Sequence, residues 1–275
     1  MSRRYIESLY RDELSISAAS EIDIEAIAYY KGAMVKVRPL RGCEARIIGY
    51  GDRAVISVNS ASMTERRRFS IGHELGHWIK HRGTVGNLCK KELITANRTS
   101  NSRNLLGREK IANEYASELL MPEYLFARFI RGADISFDVI QSIKEAFGVS
   151  LTAAAIRFVN SCDYPVILAC YGPNGRRWYH KSKQVPQYFY PVRVISHESP
   201  GFCRILSNNE KYEAHEVDSD IWIDALGAEK YEVMEVIWPI SRDSFMVFLW
   251  WADESQIVDQ IEEEEKVDIV EPTFR

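Results

Sequence analysis

The segment His73-Glu74-Leu75-Gly76-His77 restricts the folds open to this chain more than any other stretch, because it asks for a helix at one fixed place. Residues four apart lie on one face of an α-helix, so His73 and His77 can present two imidazole nitrogens to a single ion, with Glu74 one step round, near a metal-bound water. A catalytic zinc site takes three protein ligands and keeps one open position, so a third donor must come from another element. The candidate is Glu109, 32 positions after His77, in a run whose apolar face is Ile111, Ala112, Tyr115, Ala116 and Leu119. Asn113 stands four residues beyond Glu109, where its amide can accept a hydrogen bond from the far nitrogen of a ligand histidine and fix its tautomer. His81 continues the same face but lies a further turn away, which suits a structural role. Position 83 is Gly, where a three-histidine site would need His.

The surroundings read as an α+β domain. Ser20 to Gly32 carries Ile22, Ile24, Ile27 and Ala28 at helical spacing; Met34 to Val37 reads as a strand, and Ala45 to Tyr50 turns at Gly51-Asp52 into Ala54 to Asn59 as a hairpin. The motif helix opens with the capping-box pattern Ser62-x-x-Glu65. Arg82 to Gly107 shows little periodicity and reads as a lid, binding loop or disordered connection. Helix resumes at Arg108 and stops near Pro122; Leu125 to Ile130 continues the apolar pattern. Ser136 to Phe147, Gly148-Val149-Ser150 and Leu151 to Val159 then read as helix, turn, helix. Its second helix carries one basic residue, Arg157, among small apolar ones, so packing is a better reading than DNA contact, which needs several cations.

The run Arg66-Arg67-Arg68-Phe69-Ser70-Ile71-Gly72-His73-Glu74-Leu75-Gly76-His77-Trp78-Ile79-Lys80-His81 is followed by Glu109-x-x-Ala112-Asn113-x-Tyr115-Ala116-x-Glu118-Leu119-Leu120-Met121-Pro122. Together these resemble the ImmA/IrrE family of regulatory metallopeptidases, over roughly the first 160 residues. The resemblance implies a small thermolysin-like metallopeptidase domain with an appended helical pair. It implies zinc held by His73, His77 and Glu109, with Glu74 as general base. It also implies a substrate class: helix-turn-helix transcriptional repressors, cut to induce stress, phage or defence genes. Retention of Glu74 favours a protease over a non-catalytic zinc-containing regulator that binds repressor or DNA, since a structural site needs no base. The strand Ala54 to Asn59 is either the edge on which a substrate segment lies or an ordinary core strand. Tyr115, Tyr124 and His81 are alternatives for stabilising the oxyanion. Cys89, in the irregular stretch 12 positions after His77, is either an incidental thiol or an inhibitory thiolate able to take the open zinc position.

Beyond residue 160 the character changes. The chain carries 24 Lys and Arg against 18 Asp and Glu up to Asn160, then 11 against 21, and the acidic excess ends in Glu262 to Glu265. Neither half is charged strongly enough to require a nucleic-acid partner. Strands are expected at Val166 to Tyr171, Arg177 to His180, Tyr188 to Ile195, Tyr231 to Trp238 and Ser244 to Trp251. The expected organisation is a peptidase domain at 1–160 and a strand-rich, sensor-like α/β regulatory domain with an acidic tail at 161–275. Arg176-Arg177-Trp178-Tyr179-His180-Lys181 mixes cations with aromatics, either by strand alternation or as a surface for a signal ligand or single-stranded nucleic acid. The longest apolar stretch, Phe245 to Ala252, is too short to span a bilayer, and the N-terminus lacks a secretory segment, so the expectation is a cytoplasmic protein with no membrane partner. Five cysteines without a Cys-x-x-Cys pair argue against a disulfide framework.

Overall fold

A computed structural model describes residues 2–81, 100–195, 199, 213–225, 227–253 and 255–259. The chain is α+β and divides into two compact units, Met1–Ala154 and Ala155–Arg275.

The first unit opens with helix α1 (Ser2–Ser8), continued by a π-helical turn at Leu9–Glu13. Its alternating charges hide the anchors Ile6, Leu9 and Tyr10, which are fully buried, and the Tyr10 hydroxyl donates to the Leu119 carbonyl at 2.7 Å. The helix expected from Ser20 to Gly32 is broken. A 3-10 turn covers Ala19–Glu21, and α2 (Ile24–Tyr30) starts afresh because the Asp23 carboxylate accepts from the Glu25 and Ala26 amides.

Three strands follow: β1 (Ala33–Arg38), β2 (Ala45–Tyr50) and β3 (Arg53–Asn59), in the order β1-β3-β2. β2 and β3 form the expected hairpin, and β1 runs parallel to β3. This decides between the two readings of that strand: β3 is paired on both sides as a core strand, and among the described residues the edge strands of the sheet are β1 and β2. Helix α3 (Thr64–His81) packs on β2 and β3, burying Ile71, Leu75 and Trp78 over Ile47, Ile56 and Val58. It begins at Thr64 and not at a Ser62 cap, because the Ser62 hydroxyl donates to Glu44 at 2.5 Å.

Helix α4 (Ser100–Leu120) packs along α3. It starts eight residues before the expected Arg108, because a polar run gives no apolar period to read even where the backbone is helical. Then come α5 (Glu123–Ile130), α6 (Phe137–Phe147) and α7 (Leu151–Ser161). Ser136 caps α6, and Gly148, at φ +60°, ends it in the left-handed conformation that favours glycine. In α7, Ala154, Ala155, Phe158 and Val159 are fully buried and Arg157 nearly so, which is packing chemistry.

The second unit is an antiparallel sheet of β4 (Val166–Gly172), β5 (Gly175–Lys181), β7 (His215–Asp218), β9 (Glu232–Ser241) and β10 (Ser244–Trp250), in the order β5-β4-β10-β9-β7. One face buries Tyr171, Phe189, Trp222, Ile237 and Val247 in a common core. Tyr188 to Ile195 does not form the long strand expected. Only β6 (Tyr190–Pro191) pairs, with β8 (Ile223–Asp224); Pro191 brings no amide to a ladder, and the Lys181 ammonium gathers the carbonyls of Pro186, Gln187 and Phe189. Among the described residues Cys43, Cys162 and Cys170 are free thiols, and burial pushes Cys162 up to about 12.

Candidate metal centre

His73 and His77 point from α3 toward Glu109 on α4, and their ligand atoms lie within 4.8 Å of one another. The two Nε2 atoms are 3.2 Å apart; His73 Nε2 is 3.1 Å from Glu109 Oε2, and His77 Nε2 is 3.3 Å from Glu109 Oε1. Two ligands bonded at about 2.0–2.1 Å to one tetrahedral ion are separated by roughly 3.3–3.4 Å. The three donors therefore fit one divalent ion of that size with little movement. Their chemistry, two imidazoles and a carboxylate, is that of a site with an open fourth position.

The other nitrogen of His73, Nδ1, lies 2.9 Å from Asn113 Oδ1. A proton on Nδ1 donated to that oxygen leaves Nε2 with its lone pair free to bind metal. Burial opposes charging of His73, but the hydrogen bond to Glu109 and the negative charges of Glu74 and Glu109 outweigh it, so its pKa is raised. The hydrogen bonds from His73 and His77 hold Glu109 down to about 2. Glu74, beside His73 on α3, is a buried carboxylate with 1% of its surface exposed.

Two glycines set the distance between the helices that carry these groups. A Cβ on Gly76 would lie 2.8 Å from Tyr115 Cβ and 3.2 Å from the Ala112 carbonyl; one on Gly72 would lie 3.2 Å from Ala116 Cα. Small residues four apart on both helices, Gly72 and Gly76 facing Ala112 and Ala116, let the backbones approach and bring Glu109 within reach of the histidines. The sequence placed Ala112 and Ala116 on an apolar face but assigned the two glycines no role, although small residues at a spacing of four on both runs are a readable signal. Trp78 fixes the far end of α3: its indole donates to the Lys31 carbonyl at 2.9 Å, and its ring lies where a side chain on Gly49 would stand.

Of the oxyanion candidates, Tyr115 is buried beside Gly76, and the Tyr124 hydroxyl is committed to the Ile16 carbonyl at 2.7 Å. The His81 side chain and Cys89 lie outside what the structure describes.

A helix pair presenting two histidines and a glutamate around one point could hold a metal ion, as a metallopeptidase domain requires. Residues 30–159 match the peptidase M78 family model, the IrrE N-terminal-like domain. That match, over just under half of the chain, supports an ImmA/IrrE-family protein. The chain is 27% identical over 121 residues to the radiation response metalloprotease IrrE of Deinococcus radiodurans; the match covers 43% of this chain and 35% of that protein, so the likeness spans about a third of the relative's length. The fold is similar to that of a solved Mycobacterium tuberculosis transcriptional regulator, with a TM-score of 0.57 at 16% identity over 90% of this chain and 86% of that one. Among the described residues no single helix is long and apolar enough to cross a membrane.

Proposed function

We propose that this protein is a cytoplasmic zinc endopeptidase that cleaves a partner helix-turn-helix transcriptional repressor, inducing stress, phage or defence genes. The convergence of His73, His77 and Glu109 within 4.8 Å, beside the buried Glu74, carries this reading. His73, His77 and Glu109 hold the ion, and Asn113 orients His73. When bound, zinc supplies Lewis acidity toward the scissile carbonyl and the attacking water. The Glu74 carboxylate takes the water's proton and passes it to the leaving amine; its burial keeps competing solvent from that carboxylate. A substrate segment laid along the open edge of β2, beside α3, gains main-chain hydrogen bonds that hold it extended. Cys89 would regulate the site by placing its thiolate on the metal; Cys89→Ala would then raise basal cleavage, and peroxide would activate the unaltered chain.

The deciding experiment mixes the protein, with zinc or with chelator, with a helix-turn-helix repressor encoded beside its gene. A single discrete cut is expected with zinc, lost in Glu74→Gln although that variant retains the ion. Equal cleavage by Glu74→Gln would remove Glu74 from its role. A stable complex without any cut would instead assign a non-catalytic regulator.

A further inference from the structure

In the second unit, β5 forms one edge of the sheet, and beside it lies an open cleft of about 650 Å³ whose lining includes Arg176, Arg177, Arg193, Trp178 and Tyr179 and, among the described residues, no carboxylate. That volume is in the range of small-molecule sites. Three cations in one cleft contrast with the acid-rich second half of the chain.

The cleft is built by backbone irregularities. Tyr171 pairs with Arg176 and Cys170 with Trp178, so Arg177 is the extra residue of a β-bulge, a device that re-aims side chains at sheet edges. Its guanidinium lies over Gly172, where a Cβ would stand 2.3 Å from Nε. The bulge places Arg176 near Tyr179, with the guanidinium carbon 4.7 Å from the ring centroid. Arg176 Nη1 is buried and has no hydrogen-bond partner among the described residues. Gly175, at φ +94°, lets the Arg193 carbonyl approach to where a Cβ would clash at 2.4 Å, and the Arg176 amide donates to that carbonyl at 2.9 Å. Arg193 is thereby held against the start of β5.

We propose that this cleft binds a nucleoside phosphate, with the arginines taking the phosphates and Trp178 stacking on the base. A single strand of nucleic acid shares that chemistry but needs a track of cations. Along β5 the track stops: Lys181 is engaged by three backbone carbonyls, and burial lowers the pKa of His180. The site is independent of the peptidase reading and gives the second unit a small-molecule input.

The test is calorimetric titration of the whole chain with ADP, inorganic pyrophosphate and a short oligothymidylate. Saturable ADP binding is expected, weakened roughly tenfold or more by Arg177→Ala and by Arg193→Ala, both at exposed positions where folding is not at stake. Trp178→Ala should weaken ADP and leave pyrophosphate unchanged, and Trp178→Phe should restore ADP binding. Lack of ADP binding, indifference to both arginine variants, or equal affinity for ADP and pyrophosphate overturns the proposal. Tight oligothymidylate binding that ADP does not displace assigns the cleft to single strands instead.

Discussion

His73 Nδ1 and Asn113 Oδ1 stand 2.9 Å apart, joining α3 to α4 one helical turn from the place where His73 Nε2 meets Glu109. One histidine thus bridges a carboxylate and an amide presented by the same face of the neighbouring helix. With its proton on Nδ1, His73 donates to Asn113 Oδ1, an arrangement that would orient the ring and leave Nε2 to bind metal. Asn113→Ala should therefore lower zinc affinity about 10- to 100-fold, the usual cost of losing such a partner, while Asn113→Asp retains most of it. Competition against a chromophoric chelator measures this, and an Asn113→Ala variant with unchanged affinity would leave His73 oriented by something else.

Glu109 is predicted to be indispensable for the ion. Glu109→Ala removes the only donor of the set that comes from α4 and leaves His73 and His77, too few for a tight catalytic site. Metal analysis after dialysis should find the ion lost from Glu109→Ala with the helical content intact by circular dichroism. Stoichiometric zinc in that variant would exclude Glu109 as a ligand.

The pKa directions set the pH behaviour. In metal-free protein Glu109 is depressed to about 2 from 4.5, so its contribution to stability is present above pH 4.5 and lost as pH falls toward 2. His73 is raised above 6.5, so its contribution is full below 6.5 and lost as pH rises through the folded value. Zinc must displace the proton that this arrangement favours, so the ion's own stabilisation increases with pH as His73 deprotonates. The difference in unfolding temperature between zinc-loaded and chelator-treated protein should widen from about pH 6 to about pH 8. A difference flat across that range would show that His73 does not compete with the ion.

How much of this was legible in the sequence depends on what each element needs. The motif helix, the β2–β3 hairpin and the α6–Gly148–α7 connection announced themselves through apolar period, turn glycines and the Ser136 cap, although the Ser62 cap expected for the motif helix did not form. Elements settled by pairing or by single contacts did not. The break at Ile22–Asp23 turns on one carboxylate choosing two amides, and the central place of β3 depends on β1 returning parallel to it across the hairpin. α1 was hidden because three buried side chains among charges leave too weak a period. For the site, Glu109 and Asn113 could be proposed from their spacing of four, but the closeness of α3 and α4 that makes the spacing useful is a packing fact.

That closeness yields the sharpest prediction. Gly76 sits inside the motif yet contributes no chemistry, and a Cβ there would stand 2.8 Å from Tyr115 Cβ, a contact that side-chain rotation cannot relieve since neither Cβ can swing away. Gly76→Ala must therefore push α4 outward, and overpacking of this kind costs about 1–3 kcal/mol. Glu109 rides on α4 while both histidines ride on α3, so the same displacement stretches the Glu109 contacts, now 3.1 and 3.3 Å, and lowers metal affinity together with stability. Leu75→Ala provides the contrast: that side chain is fully buried on the same helix, and its loss leaves a cavity costing about 2–5 kcal/mol without forcing the two helices apart. Gly76→Ala should lose more zinc affinity than Leu75→Ala for the same fall in unfolding midpoint. If the two variants lose affinity in proportion to stability alone, the interhelical distance does not tune the site.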